Sequence, residues 1–166
     1  MKKISAKDIM SSPVITTKAH VVVSDFITAL IEYGITGLPV VDDNNRLTGI
    51  VTRTDLLVFE LKRELSSLYE KSIKGIFTEY KETDNWPSFS DMIDKFNRTI
   101  TVNDLMTINV ITATEETPVN EICRIMKEQK INHVVITADR EIRGIVTSRD
   151  IISLVEIGRA SCRERV

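Results

Sequence analysis

Apolar residues recur every three or four positions across Val23, Phe26, Ile27, Leu30 and Ile31, a spacing that predicts an amphipathic helix ended by Gly34. Val119, Ile122, Ile125 and Met126 form a second such stripe behind Pro118, a residue tolerated in the first turn of a helix. Two short apolar runs follow each stripe, "LPVVD" with "LTGIVT" and "HVVIT" with "IRGIVT", and they read as paired strands separated by turn residues. Short extended pieces, "PVITT" and "NVITA", precede the helices. Further helices begin at "TDLLVFELKREL" and "SRDIISLV". The predicted order is β-α-β-β-α, twice over, an α+β fold.

The two halves also agree residue by residue. "GIVTRTDLL" from Gly49 returns as "GIVTSRDII" from Gly144, 95 positions on, and "DIMSSPVITT" from Asp8 returns as "DLMTINVITA" from Asp104, at an offset of 96. The one-residue difference falls in "DDNNR" against "ADRE", polar runs in which a hairpin turn absorbs a deletion. A repeat of about 50 residues that occurs only twice predicts two units closing on each other, because solenoids and propellers stack three or more. The predicted segments are a first repeat at 1–65, a partly helical insert at 66–99 and a second repeat at 100–155. In the insert, "SFSDMIDKF" places Phe89, Met92, Ile93 and Phe96 at helical spacing, and Trp86 reads as an anchor for the connection in preference to a lid over a ligand. Residues 156–166, "EIGRASCRERV", abandon the apolar pattern and resemble a translated sequencing adapter, so that tail is expected to be non-native.

Composition narrows the function classes. The 166 residues are 42% hydrophobic, enough for a core, and carry a formal net charge of only -2 with scattered basic residues. No nucleic-acid footprint is present, and no apolar run approaches the roughly 18 residues that cross a bilayer, so a cytoplasmic protein with no nucleic-acid or membrane partner is expected. Cys123 lies alone on a helical stretch and reads as core filler; Cys162 falls in the tail. His20 and His133 are the only histidines, and neither metal-ligand spacing nor a glycine-rich phosphate loop occurs. The chain is read as a non-enzyme with no catalytic residues, no metal and no obligatory cofactor.

The repeated "T-x-x-D" carries the candidate chemistry. Thr52 with Asp55 and Thr147 with Asp150 have capping-box spacing, which stabilises a helix start by about 1 kcal/mol with no ligand. The same spacing suits a ligand: a helix N-terminus offers N–H groups to a phosphate, and a carboxylate accepts both hydroxyls of a ribose. Asp in place of the longer, commoner Glu in both copies favours the ribose role. Arg53 and Arg149, inside the motifs, are candidate phosphate contacts or solvated side chains.

Two units that each open with "D-(I/L)-M-(S/T)", continue to "V-I-T" and end in "G-I-V-T-x-x-D" resemble a tandem pair of CBS domains, a Bateman module named after cystathionine β-synthase. "LPVVD" in the first unit is a further hallmark. The resemblance implies two sheets packed about a pseudo-twofold axis, two clefts for AMP, ADP, ATP or S-adenosylmethionine, and assembly into a homodimer. It also implies that Ile15, Ile35, Thr36 and Gly37 line the adenine side of one cleft, and Ile111, Ile131, Asn132 and His133 that of the other. The second unit departs from the pattern at His133, which can reach a phosphate or obstruct the base.

An allosteric sensor of an adenosine ligand is therefore the leading expectation, with the cleft on Thr52 and Asp55 the favoured one. The alternatives are a ligand-free dimerisation scaffold and a fragment of a larger protein whose effector or catalytic domain was lost at the adapter-like break; an unknown effector protein is a further candidate partner. Leu57, Phe59, Leu61, Leu65 and Leu68 are expected to mark the dimer surface.

Overall fold

The computed structural model describes residues 4–63 and 100–154. The insert with Trp86, Leu65, Leu68 and the tail from residue 156 lie outside them. A short 3-10 turn, Ala6–Asp8, precedes β1 (Thr17–Lys18), α1 (Val23–Glu32), β2 (Gly37–Val41) and β3 (Leu47–Thr52). Residues 53–63 are helical and form α2. The second half runs α3 (Val102–Leu105), β4 (Thr112–Ala113), α4 (Val119–Gln129), β5 (His133–Ala138) and β6 (Glu141–Thr147), with helix α5 over 148–154. The strands form two three-stranded sheets, ordered β1-β2-β3 and β4-β5-β6. Within the second, β4 is parallel to β5 with Thr112 beside Val135, and β6 is antiparallel to β5 with His133 opposite Thr147.

Each sheet buries one face against its helix. Val23, Phe26 and Leu30 of α1 join Leu38, Val40 and Val51 in one core; Ile122 and Met126 of α4 join Val134, Ile136 and Val146 in the other. Ile31, expected on the α1 stripe, is instead 77% exposed. One residue advances the helix by about 100°, which carries position 31 off the line through 23, 26 and 30. Cys123 is likewise only half-buried, one step off the line through Ile122 and Met126.

Helix ends and turns follow local chemistry. Gly34 takes a left-handed conformation (φ 61) after α1, where the Ile35 N–H donates to the Leu30 carbonyl at 3.1 Å. At the equivalent end of α4 the left-handed residue is Lys130 (φ 54), with Ile131 N–H donating to Met126 at 3.0 Å. In the β2–β3 turn, Asp42 Oδ1 accepts from the N–H groups of Asn44 (2.9 Å) and Arg46 (2.8 Å). The shorter β5–β6 turn has Asp139 and Arg140 both at positive φ, 52 and 68, as a two-residue primed turn requires, so the deletion does fall in a hairpin.

The packed units do not coincide with the sequence repeats. Among the described residues one unit comprises 17–40, 49–63 and 100–108; the other comprises 4–16, 41–48 and 109–154. Each repeat's opening segment therefore packs with the body of the other. Thr107 exchanges two backbone hydrogen bonds with Ile50 of β3 (2.8 and 2.9 Å), and Ser11 exchanges two with Ile145 of β6 (2.9 and 3.1 Å). The methionines of the opening motifs lie against the glycines of the closing ones. A Cβ on Gly49 would meet Met106 Sδ at 2.9 Å, and one on Gly144 would meet Met10 Cγ at 2.7 Å. The "D-(I/L)-M" and "G-I-V" signatures are thus two sides of one contact, made reciprocally. Val102 and Leu105 complete the α1 core, and Ala6 completes the α4 core.

Candidate functional site

Both "T-x-x-D" motifs stand where a β-strand turns into a helix, at β3–α2 and β6–α5. Asp55 Oδ2 accepts from the Thr52 N–H at 2.8 Å and from the Thr52 hydroxyl at 2.6 Å, while the Asp55 N–H meets Thr52 Oγ1 at 3.3 Å. Asp150 Oδ2 accepts the corresponding pair from Thr147, both at 2.7 Å. The capping box is complete at Thr52–Asp55, and at Thr147–Asp150 the half in which the aspartate accepts from the threonine is formed. The threonine proton already goes to the aspartate, so a threonine hydroxyl donates to a phosphate only after rotating away from it.

The second carboxylate oxygens differ. Asp55 Oδ1 takes no hydrogen bond among the described residues, whereas Asp150 Oδ1 lies 3.5 Å from the Ser11 hydroxyl. Both aspartates are half-buried at the protein surface.

Backbone bonds tie each motif to the residues that precede the middle strand. The Arg53 N–H donates to the Thr36 carbonyl at 2.9 Å, and the Ser148 N–H donates to that of Asn132 at 3.2 Å. Ile35 is half-buried against the α1 core, and Gly37 is buried so closely on β3 that a Cβ would meet Thr52 Cγ2 at 2.9 Å. In the other unit, Ile131 packs on the α4 core, Ile111 is half-buried just ahead of β4, and Asn132 is exposed. Thus Ile35, Thr36, Gly37, Thr52, Arg53 and Asp55 fall in one unit, and Ile111, Ile131, Asn132, His133, Thr147, Arg149 and Asp150 in the other. Ile15, 41% exposed, belongs to the latter unit and not to that of Thr52. Arg53 and Arg149 are exposed at their helix starts.

His133 sits across from Thr147 in the strand register, so the two side chains share a face of the sheet. Burial holds its imidazole below the ordinary value of 6.5, and the ring is neutral near pH 7. It thus offers a hydrogen bond without a full positive charge. Gly37 stands at the equivalent place in the first half and presents no side chain.

Two further boxes escaped the sequence reading. Asp8 Oδ2 accepts from the Ser5 N–H (2.8 Å) and hydroxyl (3.0 Å), and Asp104 Oδ2 accepts from those of Thr101 (both 2.8 Å). The bond from the Thr101 backbone, then that from its hydroxyl, hold the Asp104 carboxyl below its ordinary 3.8. The signal was present as "S-A-K-D" and "T-V-N-D" at the same offset of 96. Asp closes the box at these two positions as well, outside the "G-I-V-T-x-x-D" motifs in sequence, so Asp in place of Glu does not by itself separate a ribose role from capping.

Among the described residues no group of three or more His, Cys, Asp or Glu is placed to hold a metal ion, and no helix is long and apolar enough to cross a membrane.

Two βαβ-hairpin units, each closing on a capped strand-to-helix junction and each completed by the other's opening segment, define a tandem α+β module. Comparison with known families agrees: the CBS domain model matches residues 6–62 and 102–157, and the chain belongs to the CBS domain family. The CBS domain pair of protein MJ0100, solved with 5′-methylthioadenosine and S-adenosyl-L-methionine, superposes with a TM-score of 0.66 at 28% identity, covering 93% of this chain and 98% of that one. CBSX2 solved in complex with AMP gives a TM-score of 0.66 at 26% identity over 93% of this chain and 98% of that one. In sequence, the chain is 30% identical to L-aspartate semialdehyde sulfurtransferase of Methanocaldococcus jannaschii over 89% of its length, but spans only 22% of that enzyme. It is 29% identical to chloroplastic CBSX2 of Arabidopsis thaliana over 78% of its length and spans 53% of that protein.

Proposed function

We propose that this CBS pair is a regulatory, non-catalytic module that binds an adenosine ligand such as AMP, ATP or S-adenosylmethionine at its "T-x-x-D" motifs and answers by a change of shape. The observation that carries the reading is Asp55. One oxygen is held in place by Thr52, which orients the carboxylate, and the other is open to accept from a ligand. AMP, methylthioadenosine and S-adenosylmethionine, the ligands of the similar structures, share an adenosine whose two ribose hydroxyls are adjacent donors that suit such an acceptor. Gly37 projects no side chain beside Thr52, whereas His133 places an imidazole at the matching position of the second half, which favours the Thr52–Asp55 site as the tighter one. The relatives that are enzymes are several times longer than this chain, so the module's target is read as a separate domain or partner. The exposed Leu57 and Leu61 of α2, each 59% exposed, supply an apolar surface for a homodimer, while Phe59 is turned toward the core.

Titration calorimetry of the chain with AMP, ATP and S-adenosylmethionine tests the site, with Asp55→Ala set beside Asp104→Ala. Both variants lose a helix cap, at a cost of about 1 kcal/mol in stability. Only Asp55→Ala is expected to lose ligand affinity, by about tenfold or more, the worth of a hydrogen bond to a charged group. A 2′-deoxy ligand is expected to bind the parent more weakly than its ribose form. Equal affinity of parent and Asp55→Ala for every ligand assigns that motif to capping alone.

A further inference from the structure

The two carboxylates differ in what holds their second oxygen, and the difference lies in the exchanged opening segment. Asp150 Oδ1 faces the hydroxyl of Ser11 at 3.5 Å, the outer limit of a hydrogen bond, and Asp55 Oδ1 has no counterpart. Ser11 is itself fixed to β6 by its pair of backbone bonds with Ile145, and its neighbour Met10 lies over Gly144. The segment behind it is tied down by Ala6 N–H to the Thr117 carbonyl (2.9 Å), Lys7 N–H to that of Glu115 (3.0 Å) and Val119 N–H to that of Ile4 (3.1 Å). All of these residues belong to one packed unit.

We propose that the Ser11 hydroxyl is an internal competitor for Asp150 Oδ1 and that residues 4–11 are the element through which occupancy of the Thr147–Asp150 site is transmitted. The proposal rests on the adenosine-ligand reading and adds the regulation of its second site. The Ser11 hydroxyl and a ribose hydroxyl compete for Asp150 Oδ1, because Oδ2 already accepts two protons from Thr147. A ligand that takes Oδ1 releases the Ser11 side chain and loosens its backbone pair with Ile145. Linkage makes the effect mutual: whatever undocks the segment must tighten the ligand by the same factor. The Thr52–Asp55 site lacks this competitor, so the two sites of one chain differ in output as well as in affinity.

The experiment combines hydrogen exchange and calorimetry on the full chain with AMP as the probe. Saturating AMP is expected to speed exchange at the Ser11 and Ile145 amides while leaving those of Thr107 and Ile50 unchanged. Ser11→Ala is expected to bind AMP about two- to fivefold more tightly at the second site, the scale of one weak hydrogen bond, and Ser11→Thr to restore the parent affinity. Absence of AMP binding at any site overturns the ligand reading itself. Binding that depends on Asp150 but leaves both the Ser11 and Ile145 amides and the Ser11→Ala affinity unchanged overturns only the role of Ser11. Loss of affinity in Ser11→Ala likewise overturns the competition, since Ser11 then supports the ligand. A thermal scan of Ser11→Ala that matches the parent shows that the variant is folded.

Discussion

His133 shows how one residue can make two repeats unequal. It occupies the first position of β5, opposite Thr147, where the other half has a glycine, and burial favours its neutral ring. Above the ordinary value of 6.5 the ring is neutral in both the folded and unfolded chains and has no effect on stability. Below it the unfolded chain takes up the proton first, so stability falls as pH drops and stops falling once the folded imidazole also protonates. His133→Gln is expected to remove that part of the decline that begins as the pH falls through the ordinary 6.5. Urea melts at stepped pH check this, and identical pH profiles for parent and variant remove the claim. Asp104 acts in a lower window. Asp104, held below its ordinary 3.8, contributes stability that is present above that value and lost as pH falls through its folded value.

At the scale of elements, the ends of α1 and α4 give a natural comparison. The same left-handed turn follows each helix, made by Gly34 in one case and Lys130 in the other, with matching hydrogen bonds from Ile35 and Ile131. A side chain in that conformation crowds the following carbonyl, a cost of about 1–2 kcal/mol that glycine avoids at some expense in chain entropy. Lys130→Gly is expected to stabilise the chain by about 0.5–1 kcal/mol, seen as a rise in the denaturant midpoint with an unchanged slope. A lower midpoint would show that the Lys130 side chain makes a contact worth more than the strain. The Gly34 helix stop, the turn residues and the apolar stripes were legible in the sequence because each depends on neighbours only a few positions away, whereas the Lys130 stop has no glycine to mark it. Ile31 was misplaced because a stripe identifies a broad face, and only the partner sheet decides where that face ends.

For the whole molecule, the exchange of opening segments has an energetic consequence. The α1 core needs Val102 and Leu105 from the opening of the second repeat, and the α4 core needs Ala6 from the opening of the first. Neither repeat can complete its core alone, so residues 1–65 or 100–155 expressed separately are expected to lose the cooperative unfolding of the whole chain. Calorimetry of each isolated repeat beside the whole chain checks this. An isolated repeat that melts cooperatively at the temperature of the whole chain would mean that the exchanged segments contribute little to either core.

The sequence by itself determined the order of elements, the repeat, the turns and the two Thr-x-x-Asp caps at Thr52 and Thr147, since periodicity and capping act over one or two turns of chain. It also carried the family resemblance, through motifs whose spacing survives without any knowledge of contacts. Tertiary structure alone decided that "D-(I/L)-M" of one repeat lies on "G-I-V" of the other, because a sequence repeat cannot distinguish a segment that packs on its own body from one that packs on its twin. The same holds for Ser11 and Asp150, 139 positions apart. Nothing local links them, and only the docking of a strand-edge segment on β6 brings a hydroxyl to the one carboxylate oxygen that its cap leaves open.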